Sequence, residues 1–327
     1  MWWNTIRQAK NSFRIAEQFD RQVITNIIRN VHSAYFNYLK ASQLLDVARS
    51  NLMSSQQQLA LAEQKYELGS AKKTDLLKAE VRFGQARIDV INNDAMLQNA
   101  YRTLKNAMGL IGTDRDFSVE EVEIPLEIIP EIDTGFELIQ KFNPSVKAKQ
   151  YQITSAELSA KIAKGSRLPT ISANASYSGS AENLGDAITN SFNDQKRVNT
   201  GLSISVPIFS GNSISTRIQQ AKIAVDKQES EYLTQLQDLS VQLQSMVDQL
   251  NNYQEIIPIN ETVLISAEED LKLAQVRYTQ GSTIILEVLD AQVSVVRARS
   301  SLIRSKYDAY IEQANLKALL GTLDTNK

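Results

Sequence analysis

The feature that most restricts the fold is the uneven distribution of glycine and proline along the chain. Of 327 residues, 12 are glycine and 6 are proline. Residues 1–68 contain neither, residues 212–280 contain only Pro258, and residues 282–320 contain neither. Because these two residues interrupt regular structure, such gaps predict unusually long helices. A helix over most of residues 4–68 would extend roughly 95 Å, and Pro258 is expected to kink or break its own helix.

The chain also repeats itself at an offset of 212 residues. The segment YELGSAKKTDLLKAE starts at Tyr66, and YTQGSTIILEVLDAQ starts at Tyr278. Further matches at the same offset pair Leu59 with Leu271, Ala62 with Ala274, Ala86 with Ala298 and Gly109 with Gly321. A constant offset through a shared Gly-Ser turn indicates an internal duplication. Each copy is predicted to form a long helix, a tight turn at Gly69 or Gly281, and a returning helix of roughly 38 residues.

Composition excludes several classes of function. The 35 basic and 37 acidic residues give a net charge of −2, so no nucleic-acid partner is expected. There is no cysteine and a single histidine, His32, which argues against thiolate chemistry, disulfides and a histidine-based metal site. No catalytic constellation or phosphate-binding loop is visible. We therefore expect no enzyme activity, no cofactor and no metal.

Membrane-targeting signals of the helical kind are also missing from the sequence. No run of about 20 apolar residues predicts a transmembrane helix. Met1 leads directly into helix-like sequence, so no signal peptide is predicted at the start of this sequence.

Between the copies the sequence changes character twice. Residues 112–142 contain two prolines and alternate apolar with acidic residues, which is typical of a small side domain or a linker that wraps around the helices. Asn143 and Pro144 then open a predicted helix that ends at Gly165, because proline is well tolerated in a first helical turn.

Two strands are predicted in residues 168–211. Apolar Ile171, Ala173, Ala175 and Tyr177 alternate with Ser, Thr and Asn, and Leu202, Ile204, Val206 and Ile208 alternate with Gly and Ser. Each segment has about the 9–11 residues with which a tilted strand crosses a bilayer. The pattern is typical of a membrane β-barrel, but an ordinary surface hairpin of a soluble domain has it too. Two strands cannot close a barrel, so further strands would have to come from other chains or from further sequence.

These segments together resemble the TolC-type outer membrane efflux proteins, also called outer membrane factors. The resemblance rests on SVPIFSGN (Ser205–Asn212), RLPTIS (Arg167–Ser172), the two Tyr-x-x-Gly-Ser turns and LKALLGTLD (Leu316–Asp324). It covers nearly the whole chain.

The resemblance implies a mainly α fold with long antiparallel helical hairpins that form the α-barrel of a trimer, plus a short transmembrane β-hairpin. It implies a passive exit duct for efflux, including multidrug export, or type I secretion. The duct would lie in the Gram-negative outer membrane with a long periplasmic extension. Its partners would be two further copies, a periplasmic adaptor (membrane fusion) protein, an inner-membrane transporter and outer-membrane lipid. The implied divisions are the first helical repeat at 1–111, an equatorial segment at 112–142, a helix leading to the barrel at 143–167, the β-hairpin at 168–211 and the second helical repeat at 212–327.

The sequence departs from the family pattern in two places. The strands that would precede the first helical copy would lie before Met1, so we expect an N-terminally incomplete chain whose trimer supplies six strands rather than twelve. Thr283 stands where a basic residue is common in the network that closes the tunnel tip, and Lys72 or Lys73 are the candidates to replace it.

The resemblance also assigns roles at the two turns. Asp75, Glu287 and Asp290 match the acidic positions of the tunnel tip, where threefold symmetry would form carboxylate rings that favour cations. Thr74 and Tyr278 match positions that link neighbouring helices in the closed state. The alternative for the acids is solvated charge that favours a helix start.

The turns themselves match the surface that meets the adaptor's helical hairpins. This surface comprises Leu68, Gly69, Ser70, Gln280, Gly281 and Ser282. Plain turn chemistry requires the same glycines, and both interpretations can hold. A soluble coiled-coil scaffold, or an adaptor-like binding protein, remains the alternative function from sequence.

Overall fold

Two helices of more than 60 residues dominate the fold. The computed structural model describes residues 2–110, 112, 117, 119–120, 127–179 and 196–323. In chain order the elements are α1 (Trp2–Glu67), α2 (Lys73–Ala107), α3 (Ile132–Phe142), α4 (Pro144–Gly165), β1 (Thr170–Gly179), β2 (Lys196–Ser205), α5 (Ser213–Thr279) and α6 (Ile285–Leu320). α1 has 66 residues and α5 has 67, as the gaps in glycine and proline predict.

Proline does not end α5. The helix continues through Pro258, so the predicted break between two helices is wrong. Pro258 is exposed, and so is Gln254, whose carbonyl loses its helical donor because proline has no N–H. Water can solvate that carbonyl at the surface, which explains why the helix continues.

The duplication appears as two hairpins with the same turn. Gly69 and Gly281 have φ of +69° and +76°, a left-handed conformation that glycine adopts without a Cβ clash. The Gly69 amide donates to the Tyr66 carbonyl at 2.9 Å, and the Gly281 amide donates to the Tyr278 carbonyl at 3.1 Å. The amides of the serines that follow bond one residue further back, at 2.8 Å in both turns. This pattern is the Schellman motif, and it ends α1 and α5 at equivalent positions.

The chain divides into two compact units. One comprises residues 1–17 and 148–234, and the other comprises residues 18–147 and 235–327.

In the first unit, polar contacts join α4 to the start of α1 and α5. The buried Asn11 donates its side-chain amide to the Tyr151 carbonyl at 2.5 Å, and Lys149 pairs with Glu231 at 2.6 Å. The Lys149 ammonium is the main cause that lowers the pKa of Glu231 below its ordinary value.

The same unit carries an antiparallel two-stranded sheet, and its register sorts the side chains by face. Ile171 lies opposite Ile204, Ala173 opposite Leu202, and Tyr177 opposite Val198. Residues directly opposite one another share a face, so one face is apolar and the other carries Ser, Asn and Gly. The predicted hairpin is therefore present as a pair of strands, and its apolar face is exposed. The predicted loop between the strands lies outside the described residues.

The second unit holds most of the apolar core. One cluster joins Phe36 and Leu39 of α1 to Ile303 and Tyr307 of α6. The predicted equatorial segment also lies in this unit. Its residues 132–142 form α3, which packs against α6, and its described residues before α3 contact three helices. The Phe117 ring stacks on Tyr101 of α2, the Glu120 carbonyl accepts from the Tyr35 hydroxyl of α1, and Glu127 pairs with Lys317 of α6.

Across the described ranges, no helix combines the length and apolarity needed to span a membrane.

Candidate functional site

The tip, defined here as residues 59–82 and 271–292, is where the two turns lie and where the two hairpins pack together. Ala62 and Leu76 of the first hairpin are buried in one cluster with Ala274, Tyr278 and Ile285 of the second. Small alanines at this level allow the helices to approach closely. Tyr278 is only 7% exposed, although it lies within three residues of a turn.

Lys65 binds the second hairpin directly at Tyr278. Its ammonium donates to the Tyr278 main-chain carbonyl at 2.7 Å and lies 4.0 Å from the centroid of the Tyr278 ring. A hydrogen bond and a cation–π contact therefore act on the same residue, and we call this pair of contacts the Lys65 clamp.

Sequence reasoning missed Lys65. A signal for it existed, because Lys65 and Arg277 occupy equivalent positions in the duplication, each in the last turn of its long helix. The sequence predicts Lys72 or Lys73 as the replacement for the basic residue that is absent at Thr283, and the structure places both of them elsewhere. Lys73 sits 5.2 Å over the Tyr66 ring, and Lys72 is exposed at the start of α2.

The phenol of Tyr278 is shielded from solvent and has no hydrogen-bond partner among the described residues. Burial raises its pKa above the ordinary value, and the nearby charge of Asp75 raises it further. The negative charge of Asp75 thus disfavours ionisation of the Tyr278 phenol. Thr74 is exposed in the first turn of α2.

The two acids of α6 each face an arginine. Glu287 lies 3.5 Å from Arg277, and Asp290 lies 3.5 Å from Arg82 of α2. The first pair stays within the second hairpin, whereas the second pair connects the two hairpins. All four side chains are 40–62% exposed, so solvent screens both pairs.

The predicted adaptor surface is open. Leu68 is 81% exposed, and the other five turn residues are exposed as well. A Cβ built on Gly69 or Gly281 would meet no atom within 4 Å. Glycine is needed at both turns for backbone conformation, and the space beside each turn is free in the single chain.

A polar layer lies behind the tip core. Gln292 donates to the Asn51 side chain at 3.2 Å and accepts from Gln58 at 3.5 Å. These residues border a cleft of about 180 Å³ that Arg82 and Asp89 also line. Such a layer fixes the register of packed helices, because its hydrogen bonds are lost when the helices slide.

No group of three or more His, Cys, Asp or Glu side chains suited to a metal ion occurs in the part of the chain that the structure describes. The site consists of packed helices, two open turns and exposed carboxylates.

The described fold is mainly α-helical, with two duplicated helical hairpins and an exposed amphipathic pair of strands between them in the sequence. The chain belongs to the outer membrane efflux protein family, whose model matches residues 1–110 and 137–322.

Individual relatives agree with this assignment. The chain is 24% identical to outer membrane protein TolC of Vibrio cholerae serotype O1, over 98% of this chain and 73% of that protein. It is 25% identical to outer membrane protein TolC of Escherichia coli K12, over 95% of this chain and 64% of that protein. The chain thus spans roughly two thirds of the length of such relatives. The solved outer-membrane channel OprN shares the fold with a TM-score of 0.84 at 18% identity, over 98% of this chain and 71% of that one.

The predicted family, the mainly α fold, the outer-membrane location and the efflux-channel class are therefore confirmed. The assignments of individual tip and turn residues, the division into segments and the insertion of the β-hairpin stay predictions.

Proposed function

We propose that this chain is one subunit of a homotrimeric, passive exit duct, without catalytic activity of its own. The observation that carries the proposal is an unpartnered apolar seam on α2. Leu77, Val81, Ile88 and Ile91 follow one another at intervals of four, seven and three, and they are between 46% and 71% exposed. This spacing is the heptad pattern by which one helix packs along another. The described part of a single chain leaves this seam largely uncovered.

A second exposed seam lies on α5. It contains Ile256, Ile259 and Val263, again at heptad intervals. When two different seams of one chain pair between copies, the interface is heterologous, and its repetition closes a ring or extends a filament. A closed ring of hairpins encloses a lumen, which is what a duct requires. Membership of the efflux family favours the ring of three.

The β-hairpin supplies the membrane attachment in this proposal. Both strands have 10 residues, which matches the length of a tilted membrane-crossing strand. The exposed apolar face with Ile171 and Leu202 would contact outer-membrane lipid, and the Ser and Asn face would contact water.

The proposed segments keep the predicted bounds. Residues 1–111 and 212–327 form the two tunnel repeats, residues 112–142 the equatorial segment, residues 143–167 the connecting helix and residues 168–211 the membrane hairpin.

The tip acts as the gate in this proposal. Asp75, Glu287 and Asp290 form carboxylate rings, and Thr74 and Tyr278 belong to the contacts between helices. Thr283 stands where the closing network commonly has a basic residue. The Lys65 clamp takes the place of that residue, since it holds the first hairpin to the second. Opening requires release of the clamp while the helices shift as packed bodies.

The six exposed turn residues receive a periplasmic adaptor, which biases the tip towards the open state. The residues are Leu68, Gly69, Ser70, Gln280, Gly281 and Ser282. An inner-membrane transporter supplies the energy for export, because nothing in a passive duct does so. A soluble coiled-coil scaffold is not favoured, since family membership and the exposed β-hairpin both point to the envelope.

Single-particle imaging of the detergent-purified protein tests the proposal. We expect hollow particles with threefold symmetry. The double variant Val81→Glu, Ile88→Glu should give monomers with unchanged helical circular dichroism, because both side chains are exposed in the single chain. The control Lys78→Glu, Arg87→Glu alters charge on α2 outside the seam and should keep the trimer. Solid rods or dimers from the unmodified protein would refute the duct.

A further inference from the structure

A pocket in the second unit lies away from the tip. It has a volume of about 210 Å³ and lies where residues 127–130 and α3 cover α5 and α6. Its walls are mainly apolar, with Leu138 of α3, Leu250 of α5, and Leu316 and Leu320 of α6. The last three side chains are buried, whereas Ile128 and Gln254 of the lining are exposed, so the pocket has a buried apolar floor and an open side.

Gln313 is the unusual residue of this pocket. It lines the pocket, it is 8% exposed, and neither its amide oxygen nor its amide nitrogen has a hydrogen-bond partner within the described structure. A buried amide offers one acceptor and two donor hydrogens, and leaving them all unmade is rare in folded proteins. The wall of this mainly apolar pocket therefore holds a donor and an acceptor that no described residue satisfies.

Charge and size restrict what could fill it. Among the described lining residues, the charged ones are Lys317 and Glu127. They pair with each other at 2.6 Å, so they call for no charged ligand. A cavity of about 150 Å³ lined by apolar side chains accommodates benzene. A volume of about 210 Å³ accommodates a ring of that size together with one small polar group.

We propose that this pocket is a binding site for a small uncharged amphiphile, a compact apolar ring that carries one amide or hydroxyl group. The ring occupies the leucine walls, and the polar group bonds to the Gln313 amide. A bound molecule contacts residues 127–130, α3, α5 and α6 at once. Binding therefore stabilises the attachment of the equatorial segment to the long helices by mass action.

Benzamide is the probe, and toluene is its matched control because it keeps the ring and lacks the amide. The purified full chain is titrated with each compound, and binding is followed by saturation-transfer NMR and by the thermal unfolding midpoint. Three variants are measured in the same detergent, so that partitioning of the probe into micelles is common to all. Gln313→Leu removes the polar group, Leu316→Trp fills the pocket, and Gln98→Leu changes an exposed glutamine of α2.

We expect saturable benzamide binding that is about tenfold weaker in Gln313→Leu, absent in Leu316→Trp and unchanged in Gln98→Leu. Toluene should bind Gln313→Leu at least as well as it binds the unmodified chain. The midpoint should rise with benzamide in the unmodified chain and in Gln98→Leu only. The absence of saturable binding, with the pocket holding water only, would overturn the proposal. Equal benzamide affinity in the unmodified chain and Gln313→Leu would also overturn it. Neither result bears on the trimeric duct, because the pocket shares no residue with the seams or the tip.

Discussion

Replacing Gly321 by alanine should destabilise the protein much more than the same change at Gly109, although the duplication makes the two positions equivalent. Both glycines end a helix in the left-handed region, with φ of +72° and +71°. An L-residue there costs roughly 1–2 kcal/mol, which is the whole expected effect at Gly109, where a Cβ meets no atom within 4 Å. At Gly321 the Cβ would lie 2.6 Å from the carbonyl carbon and oxygen of Phe142.

That contact is with main chain, so it cannot be relieved by turning a side chain. Asn143 donates to the Leu319 carbonyl at 2.8 Å, which fixes the end of α6 against the α3–α4 junction, and Arg21 of α1 donates to the Gly321 carbonyl at 3.1 Å. Overpacking of this kind adds about 1–3 kcal/mol, for a total of about 2–5 kcal/mol at Gly321.

Guanidinium unfolding followed by helical circular dichroism measures the difference between the two variants. Hydrogen exchange of residues 312–322 reports whether the loss is local to the end of α6. Equal losses of stability in Gly321→Ala and Gly109→Ala would show that the main-chain contact at Phe142 contributes nothing, and the reasoning would be refuted.

Three further predictions concern the tip. Lys65→Met should raise the conductance in a planar bilayer by about tenfold, because the closed tip loses a charge-assisted hydrogen bond. Lys72→Met, at an exposed position, should leave the conductance unchanged. Equal conductance of the two variants would exclude the clamp. Combined Glu287→Ala and Asp290→Ala should weaken block of that conductance by divalent cations, and unchanged block would remove both acids from the constriction. The folded-state pKa of Tyr278 is raised, so its contribution to stability is complete below about pH 10 and is lost as the pH rises through the raised pKa. Tyr278→Phe should abolish that alkaline loss in thermal unfolding, and an identical pH profile in the variant would contradict it.

The fold was predictable to the extent that it depends on local signals. Gly69 and Gly281 mark the C-terminal ends of α1 and α5, and the repeated Gly-Ser step marks both turns, because a left-handed helix cap has a chemical requirement that the sequence must meet. Pro258 shows the limit of such signals. A proline removes one helical hydrogen bond, and whether solvent can replace it depends on exposure at that position, which is a tertiary property.

The site was predictable to a lesser degree. The turn residues followed from position alone, but the partners of the charged side chains did not. Lys65 reaches Tyr278, which is 213 positions away in the chain, and Asp290 reaches Arg82 across 208 positions. Pairings of that separation depend on how two hairpins align, and helix periodicity does not determine the alignment. Gln313 gave no signal at all, since a glutamine in a long helix is usually solvated.

The Lys65 clamp makes the two copies of the duplication unequal in their contacts. The two turns have the same backbone geometry, and positions 65 and 277 both carry a cation, yet the two cations bind different kinds of partner. Arg277 pairs with the Glu287 carboxylate of its own hairpin, whereas Lys65 donates a hydrogen bond to the Tyr278 carbonyl of the other copy. At this pair of equivalent positions, the cation of the first hairpin binds the other copy, and the cation of the second binds within its own copy. The two copies have therefore diverged in function at one position, and loss of the Lys65 contact would weaken the link between the hairpins while the Arg277 contact within the second hairpin stays intact.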